Sequence, residues 1–212
     1  RLSTPTVASV SAYGQKQQYV KHFGPQWFAP TMGLGALAIA LSMIGAQTGT
    51  GAIADAALVV TLLTGFVTLV FLVPWTLRLI RHPDAVQGDL DHPIRSQFFP
   101  TMPITLIVVG IAMQRTMSGL LPDALLASST LALFTLGTTG IVLFGILLSK
   151  ILFTNTNIGT KHGVFAWFIP PVSHIIIPAL GLTLIQNGYA GTSVGTIILA
   201  VSLLALGVGT AM

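Results

Sequence analysis

The sequence predicts an all-α integral membrane protein made of repeated two-helix hairpins. Three observations predict this class: the composition, a series of long apolar stretches, and a motif that recurs every seventy residues. Only 7% of the 212 residues are charged, 53% are hydrophobic, and the mean hydropathy is +0.86. A water-soluble chain of this length could not cover its surface with so few polar groups. The absence of cysteine from the sequence excludes disulfides and thiolate chemistry within it.

Six stretches are long and apolar enough to cross a bilayer, which requires roughly 20 residues each. Charged residues bound the first four, and no Asp, Glu, Lys or Arg follows Lys161. The region after Lys161 must therefore hold two helices, separated by the turn-forming residues of "QNGYAGTS". The predicted helices are 27–46, 56–77, 96–114, 124–149, and two after residue 161 divided at 186–193.

A repeated motif begins each odd-numbered helix. His22, His92 and His162 are each followed by a phenylalanine six residues on and a proline eight residues on, in "HFGPQWFAPTM", "HPIRSQFFPTMP" and "HGVFAWFIPPV". Seventy residues hold two membrane helices and their loops, so each copy is a hairpin and the copies are parallel repeats. The predicted organisation is a polar tail 1–21 and hairpins 22–91, 92–161 and 162–212 within one membrane domain. The chain is expected to be truncated, because it ends within an apolar stretch.

Basic residues predict the orientation. Lysines and arginines precede the first helix and join helices two to three and four to five, whereas the opposite loops contain only Arg115. The positive-inside rule then places the N-terminus and these basic loops in the cytoplasm of a multi-pass plasma membrane protein. Because the basic residues lie in short loops and form no patch, nucleic acid is not an expected partner. The expected partners are lipids and small anions.

The prolines distinguish the odd helices from the even ones. We expect prolines beyond the first helical turn to bend the odd helices, whereas the even helices contain only Pro74. Opened backbone in a membrane must face protein or a watery cavity, which favours odd helices as a cavity-lining inner set and straight even helices as an outer ring. Two alternatives stay open: prolines that only kink packed helices, and aromatic residues that only form an interfacial belt. The predicted pore-lining residues are Phe28, Pro30, Thr31, Phe99, Pro100, Thr101, Pro103, Phe168, Pro170, Pro171 and His174.

Charge placement favours anions as the transported species. All five aspartates lie in loops or at helix ends, so no carboxylate ring is available for cations. Arg95 and Arg115 are predicted to attract anions, although an arginine such as Arg115 can equally extend to lipid headgroups. His174 lies within an apolar span and is either a pore or pH-sensing residue or a neutral, hydrogen-bonded one. The three repeated histidines are too dispersed to bind one metal ion, so neither a metal nor a cofactor is expected.

Other functional classes agree less well with the sequence. Neither residue of the Ser173–His174 pair lies within a G-x-S-x-G or H-E-x-x-H motif, so we expect no enzyme. A haem-binding bundle would need a second histidine deep in the bilayer. A receptor or assembly subunit that transports nothing stays open as the alternative function.

The motifs resemble those of a known family. "FGPQWFAPTMGLGALAIAL", "HPIRSQFFPTMPI" and "KHGVFAWFIPPVSHIIIPALG" are similar to the first, third and fifth helix motifs of the tellurite-resistance/dicarboxylate transporter family. This family includes bacterial tellurite-resistance anion channels, plant slow anion channels and fungal malate and sulfite carriers. The resemblance implies ten helices in five hairpins, a central pore in each subunit and assembly as a homotrimer. It also implies passive or proton-coupled transport of chloride, nitrate, sulfite or C4-dicarboxylates such as malate. The gating phenylalanine of that family is expected beyond Met212.

Overall fold

The computed structural model describes residues 19–154, 165–189 and 191–212. Most of the predicted N-terminal tail, and His162 at the start of the third hairpin, lie outside the described residues. One-turn 3-10 helices occupy Pro25–Trp27, Arg95–Phe98 and Phe165–Phe168. The α-helices are α1 Phe28–Thr48, α2 Gly51–Arg81, α3 Pro83–Leu90, α4 Thr101–Thr116, α5 Asp123–Thr154, α6 Ile169–Ile175, α7 Ile177–Gln186 and α8 Thr192–Ala211.

Six helical stretches of the described chain are long and apolar enough to span a membrane, which confirms the predicted all-α membrane fold. Each odd span begins with a 3-10 turn that leads into an α-helix. The fifth span contains two α-helices, α6 and α7. The spans extend beyond the predicted bounds, because a helix continues past its apolar segment into its polar flanks. Spans one to six are Pro25–Thr48, Gly51–Arg81, Arg95–Thr116, Asp123–Ile151, Phe165–Gln186 and Thr192–Ala211.

The seventy-residue period is visible in the backbone. The three 3-10 turns begin at Pro25, Arg95 and Phe165, which are spaced by seventy residues. At the other end of the odd spans, the chain turns at Gly49, Gly119 and Gly188, and each of these glycines has a positive φ between 66° and 80°. Only glycine adopts this left-handed conformation without steric cost, so the same turn chemistry follows each copy of the motif. We call the end of the bundle that carries these three glycines the turn end. The opposite end carries Arg78 and Arg95, and we call it the basic end.

The prediction that the motif prolines bend the odd helices is wrong for most of them. Pro100 directly precedes α4, and the others lie within the first three residues of an α-helix, namely Pro30, Pro103, Pro170, Pro171 and Pro178. The first four N–H groups of an α-helix have no partner within the helix, so a proline there removes no helical hydrogen bond. The prolines therefore mark where a helix starts. Two of these prolines lie at a break inside a span: Pro100, in the turn between the 3-10 helix and α4, and Pro178, where α6 gives way to α7 at Ile176.

Span three is the centre of the described bundle. In its most apolar window 83% of the residues are buried, against 22–39% in the other spans. Each odd span is also more buried than the even span that follows it. Glycines on the neighbouring spans permit close approach: an added Cβ would clash with Val108 at Gly35 and would lie 2.8 Å from Pro103 at Gly140. An apolar cluster surrounds this centre, with Ile104, Ile107, Val108, Ile111, Phe134, Ile141, Ile177, Leu180, Leu184, Ile198 and Ala205 at its core.

Candidate functional site

Hydroxyl groups of the motif join spans one and three. Thr101 Oγ1 lies 2.6 Å from the Phe98 carbonyl oxygen of its own span and 3.0 Å from the Pro25 carbonyl oxygen of span one. Thr105 Oγ1 lies 2.8 Å from the Thr101 carbonyl oxygen and 3.3 Å from Thr31 Oγ1. All three threonine side chains are buried. These hydroxyl groups contact backbone carbonyl oxygens of their own span and, at Pro25, of the neighbouring span.

The predicted pore-lining residues divide between buried and exposed positions. Phe28 and Phe99 belong to an aromatic cluster, with ring centroids 6.1 Å from Phe71 and 5.6 Å from Trp75 of span two, respectively. Their rings therefore pack against an even span. Pro100, Thr31, Thr101, Pro103 and Pro170 are also buried, Pro171 is half-buried, and only Pro30 and Phe168 are exposed.

The exposed positions continue as stripes along spans one and five. Span five exposes residues every three or four positions, namely Phe168, Val172, Ile175, Ala179 and Leu182. Span one exposes a corresponding stripe formed by Pro30, Gly33, Leu37, Ala40 and Ile44. This spacing follows one face of a helix. Each of the two odd spans that flank span three therefore has one apolar face that the described residues leave uncovered.

His174 lies on the side of span five that faces spans four and six. Its Nδ1 atom is 2.8 Å from the Pro170 carbonyl oxygen, which can only accept, so Nδ1 carries the hydrogen. An added Cβ at Gly145 of span four would lie 2.5 Å from the imidazole Cε1 atom, and one at Gly209 of span six would lie 3.0 Å from the His174 Cβ atom. The imidazole thus occupies a space that two glycines provide. Its hydrogen bond and burial agree with the alternative in which His174 is a hydrogen-bonded residue that packs between helices. A role of His174 in transport stays a prediction.

Ser173 and His174 do not form a nucleophile and base. Ser173 Oγ donates to the Pro170 carbonyl oxygen, the same atom that accepts from His174 Nδ1. The two side-chain atoms are 3.4 Å apart, but an Nδ1 atom that already carries a hydrogen cannot remove the serine proton.

Arg95 is paired at the basic end. Its Nη1 atom is 2.8 Å from Asp89 Oδ1, and the other oxygen of the same carboxylate lies 2.6 Å from Arg78 Nη2. The side chains of Arg78 and Asp89 are each only 4% exposed, whereas that of Arg95 is 52% exposed. The Asp89 carboxylate offsets part of the positive charge of Arg78 and Arg95. It therefore reduces the attraction for anions predicted for Arg95.

Arg78 links three segments of the chain. It donates to the carbonyl oxygens of Lys21 at 2.8 Å, Phe23 at 3.2 Å and Ala85 at 3.2 Å, and it lies over the ring of Trp75. The linker "RHPDAVQGDLDHP" contains α3, with Val86 and Asp89 buried. It folds back to supply the carboxylate that a buried arginine requires.

Sequence reasoning missed this cluster. Arg78 looks like one of several basic residues that flank a span, and Asp89 looks like one of three nearby aspartates. The sequence feature that points to the pair is the presence of three aspartates in the short linker after Arg78. A linker of this length can bring one of them back to the end of span two. No periodicity in the sequence distinguishes Asp89 from Asp91, which is exposed.

Gln114 was also missed. It is buried near the turn end of span three, where its Nε2 atom donates to Thr130 Oγ1 of span four at 2.7 Å. Its Oε1 atom accepts from Asn187 Nδ2, just after span five, at 2.9 Å. One side chain therefore joins three spans, and both ends of its amide are satisfied.

Arg115 lies at the turn end, beside a cavity of about 370 Å³. The cavity lies between the end of span one, the start of span two and the end of span three, with Ser42, Gly49, Thr50, Gly51 and Thr116 among its walls. Arg115 itself is exposed. The two residues predicted to attract anions are thus at opposite ends of span three.

Comparison with known proteins shows the class of protein that has this fold and these motifs. The family model described as SLAC1, voltage-dependent anion channel, matches residues 22–212. The chain belongs to this family, which confirms the resemblance inferred from the three motifs.

Two relatives from Methanocaldococcus jannaschii are named as uncharacterized transporters, and each is 30% identical to this chain. The matches cover 81% and 78% of this chain, but 47% and 46% of the two relatives. The chain therefore spans about half the length of the curated relatives that it matches.

Proposed function

We propose that this chain forms part of a membrane protein that transports anions, passively or coupled to protons, through a path along its odd spans. The observation that carries the proposal is the match to the anion-channel family over residues 22–212, across all three copies of the motif. The packing agrees with it, because each odd span is more enclosed than the even span that follows it.

The faces that spans one and five leave uncovered are the surfaces proposed to line the path. They are apolar and carry no acidic side chain along the stripes from Pro30 to Ile44 and from Phe168 to Leu182. A neutral lining binds an ion weakly enough to release it, which suits conduction. Of the predicted pore-lining residues, Pro30 and Phe168 lie on these faces. The buried ones, such as Thr101 and Pro103, would support the lining by fixing the spacing of the helices.

Charge at the basic end supports an anion as the permeant species. Among the described residues at the basic end, five cations (Lys21, Arg78, Arg81, Arg95 and Lys150) outnumber three aspartates (Asp84, Asp89 and Asp91), which leaves two net positive charges. Such an excess concentrates anions within a Debye length, about 8 Å at physiological ionic strength. The candidate substrates are chloride, nitrate, sulfite and C4-dicarboxylates such as malate. Assembly as a homotrimer in the plasma membrane, with the N-terminus in the cytoplasm, belongs to the same proposal.

The test is flux in reconstituted liposomes. The full-length protein, purified and shown to be folded by circular dichroism, is incorporated at a defined ratio, and efflux of chloride, nitrate, sulfite and malate is measured with a potassium ionophore to remove the membrane potential. Protein-free vesicles are the control for leakage, and potassium flux without the ionophore is the control for a non-selective pore. We expect flux of at least one anion above that of protein-free vesicles. Folded protein that moves none of them would favour the alternative of a receptor or assembly subunit.

A further inference from the structure

The turn-end cavity combines a guanidinium group with space that small residues leave open. Glycines at positions 49 and 51, together with Thr50, form the turn between spans one and two, and Arg115 lies across from them at the end of span three. With a volume of about 370 Å³, the cavity exceeds the roughly 30 Å³ that one water molecule occupies in liquid water. A hydrated or partly hydrated ion therefore fits beside the arginine.

The charge of Arg115 is unmatched within the described chain. The ion pairs found there, within 4.0 Å, both involve Asp89 at the basic end. Two carboxylates also lie toward the turn end, Asp55 in span two and Asp123 at the start of span four, and both are exposed and unpaired with Arg115. A cation in a cavity without a carboxylate partner attracts a mobile anion.

We propose that the turn-end cavity is a binding site for one small, singly charged inorganic anion, such as nitrate or chloride, held by Arg115. One unmatched positive charge balances one negative charge, and a doubly charged dicarboxylate would exceed it. The wall residues that span one gives to the cavity, such as Ser42, are not members of its uncovered stripe. Under the proposed function, it holds an anion at one mouth of the path, but binding itself does not depend on transport.

A phospholipid phosphate offers the same chemistry, since arginines near the ends of spans contact headgroups. The experiment must therefore separate a free anion from a lipid. The absence of cysteine from this sequence makes a single introduced thiol a specific probe. Thr50→Cys places the thiol in the cavity wall, and Ser193→Cys places a matched thiol at the start of span six, where the side chain is exposed and at the same end.

The measurement is the rate at which each thiol reacts with an anionic and with a cationic methanethiosulfonate reagent, in the full-length protein with any other cysteines replaced. In the Thr50→Cys protein we expect the ratio of anionic to cationic rates to fall about threefold or more when Arg115→Gln is added, and to be kept with Arg115→Lys. Replacing gluconate by nitrate at constant ionic strength should slow modification of the Thr50→Cys thiol by the anionic reagent when Arg115 is present. The same replacement should leave modification of the Ser193→Cys thiol unchanged. Because Arg115 is exposed, the variants should fold, which gel filtration checks.

Each other outcome has a defined meaning. Equal rate ratios with and without Arg115, or nitrate protection that is the same in Ser193→Cys, would overturn the site. Protection by phosphatidylglycerol in nanodiscs, without protection by nitrate in detergent, would assign Arg115 to lipid and overturn it as well. Intact nitrate protection in Thr50→Cys, in a protein that moves no anion in liposomes, would instead contradict the proposed function and leave the site standing.

Discussion

Arg78 shows how a charged side chain is accommodated at the end of a membrane helix. Burial removes its hydration, which is costly unless every donor finds a partner. Asp89 supplies the opposite charge, and three backbone carbonyl groups accept from three more of the five guanidinium N–H groups. Two of those carbonyl groups, at Lys21 and Phe23, belong to the segment that leads into span one. The arginine therefore fixes the start of span one against the end of span two.

Asp89→Asn should destabilise the protein strongly. The change leaves Arg78 buried without a charged partner, and we expect a loss of about 3 kcal/mol, at the lower end for a broken buried pair because the carbonyl acceptors remain. The measurement is unfolding by SDS in mixed micelles, followed by circular dichroism. Asp91→Asn is the matched control: its carboxylate is exposed, so the free energy should change by less than about 0.5 kcal/mol. Equal effects of the two substitutions would contradict this account of Asp89.

Gly145→Ala should destabilise the contact between spans four and five. The added methyl group would lie 2.5 Å from the His174 imidazole, and overpacking of this kind costs about 1–3 kcal/mol. Unfolding in mixed micelles measures the loss, and Gly65→Ala is the control because nothing lies within 4 Å of its added Cβ.

The same substitution made in a His174→Ala background should cost much less, because the clashing ring is gone. The two changes would then show a coupling free energy of about 1 kcal/mol or more. Additive effects would mean that the imidazole does not occupy the space beside Gly145.

At the scale of elements, proline and threonine act together in each motif. The motif proline has no backbone N–H, so it cannot donate to a carbonyl group of the preceding turn. Thr31 and Thr101 each donate to the carbonyl oxygen three residues earlier, at 2.6 Å. In the third copy, Pro171 occupies the threonine position, and Ser173 donates to the Pro170 carbonyl oxygen instead. A hydroxyl group thus accompanies each proline at the start of an odd span.

Thr105→Val should weaken the association of spans one and three. Valine keeps the shape but loses the contacts to Thr31 Oγ1 and to the Phe28 carbonyl oxygen, both at 3.3 Å. Hydrogen bonds between membrane helices contribute about 0.6 kcal/mol on average and up to about 1.7 kcal/mol, so we expect a loss in this range in SDS unfolding. Thr135→Val is the control, since Thr135 is exposed and bonds only within its own helix. A Thr105 effect no larger than the control would show that these contacts add nothing to the contact between the two spans.

At the scale of the molecule, the three hairpins pack together with span three at their centre. Span three contacts its own hairpin partner, span four, and also spans one, two and five, which is why it is the most enclosed. The flanking odd spans keep one face free. This arrangement follows from parallel repeats, because each hairpin brings its motif to the same end of the bundle.

The predicted orientation can be tested with two cysteines. Ser193→Cys at the turn end should react with a membrane-impermeant thiol reagent added to intact cells. Asp84→Cys, in the linker at the basic end, should react only after the membrane is opened. This outcome follows from the positive-inside rule, since the arginines that flank span two lie at the basic end. The reverse labelling pattern would place the N-terminus outside the cytoplasm.

How far the sequence predicts this molecule differs from residue to residue. The six spans were predictable because the bilayer demands long apolar helices, and the family was recognisable from three motifs in order. Pro30 and Pro103 were assigned correctly to the odd spans but misinterpreted, since their effect depends on where the helix starts, and a 3-10 turn shifts that start. The positive-φ glycines Gly49 and Gly119 are seventy residues apart and Gly188 follows after 69, so glycine spacing is a further sequence signal of the repeat.

The sequence by itself determined the spans, their period and the distribution of charge along them, because these depend on hydrophobicity and local hydrogen bonding. The tertiary structure alone decided that Phe28 and Phe99 pack against even spans, and that Asp89 rather than Asp91 neutralises a buried arginine. It likewise decided that His174 fits against Gly145, and that Arg115 keeps a cavity beside it. Each of these depends on which side of a helix meets a neighbour that is distant in sequence, and that choice is made by close packing.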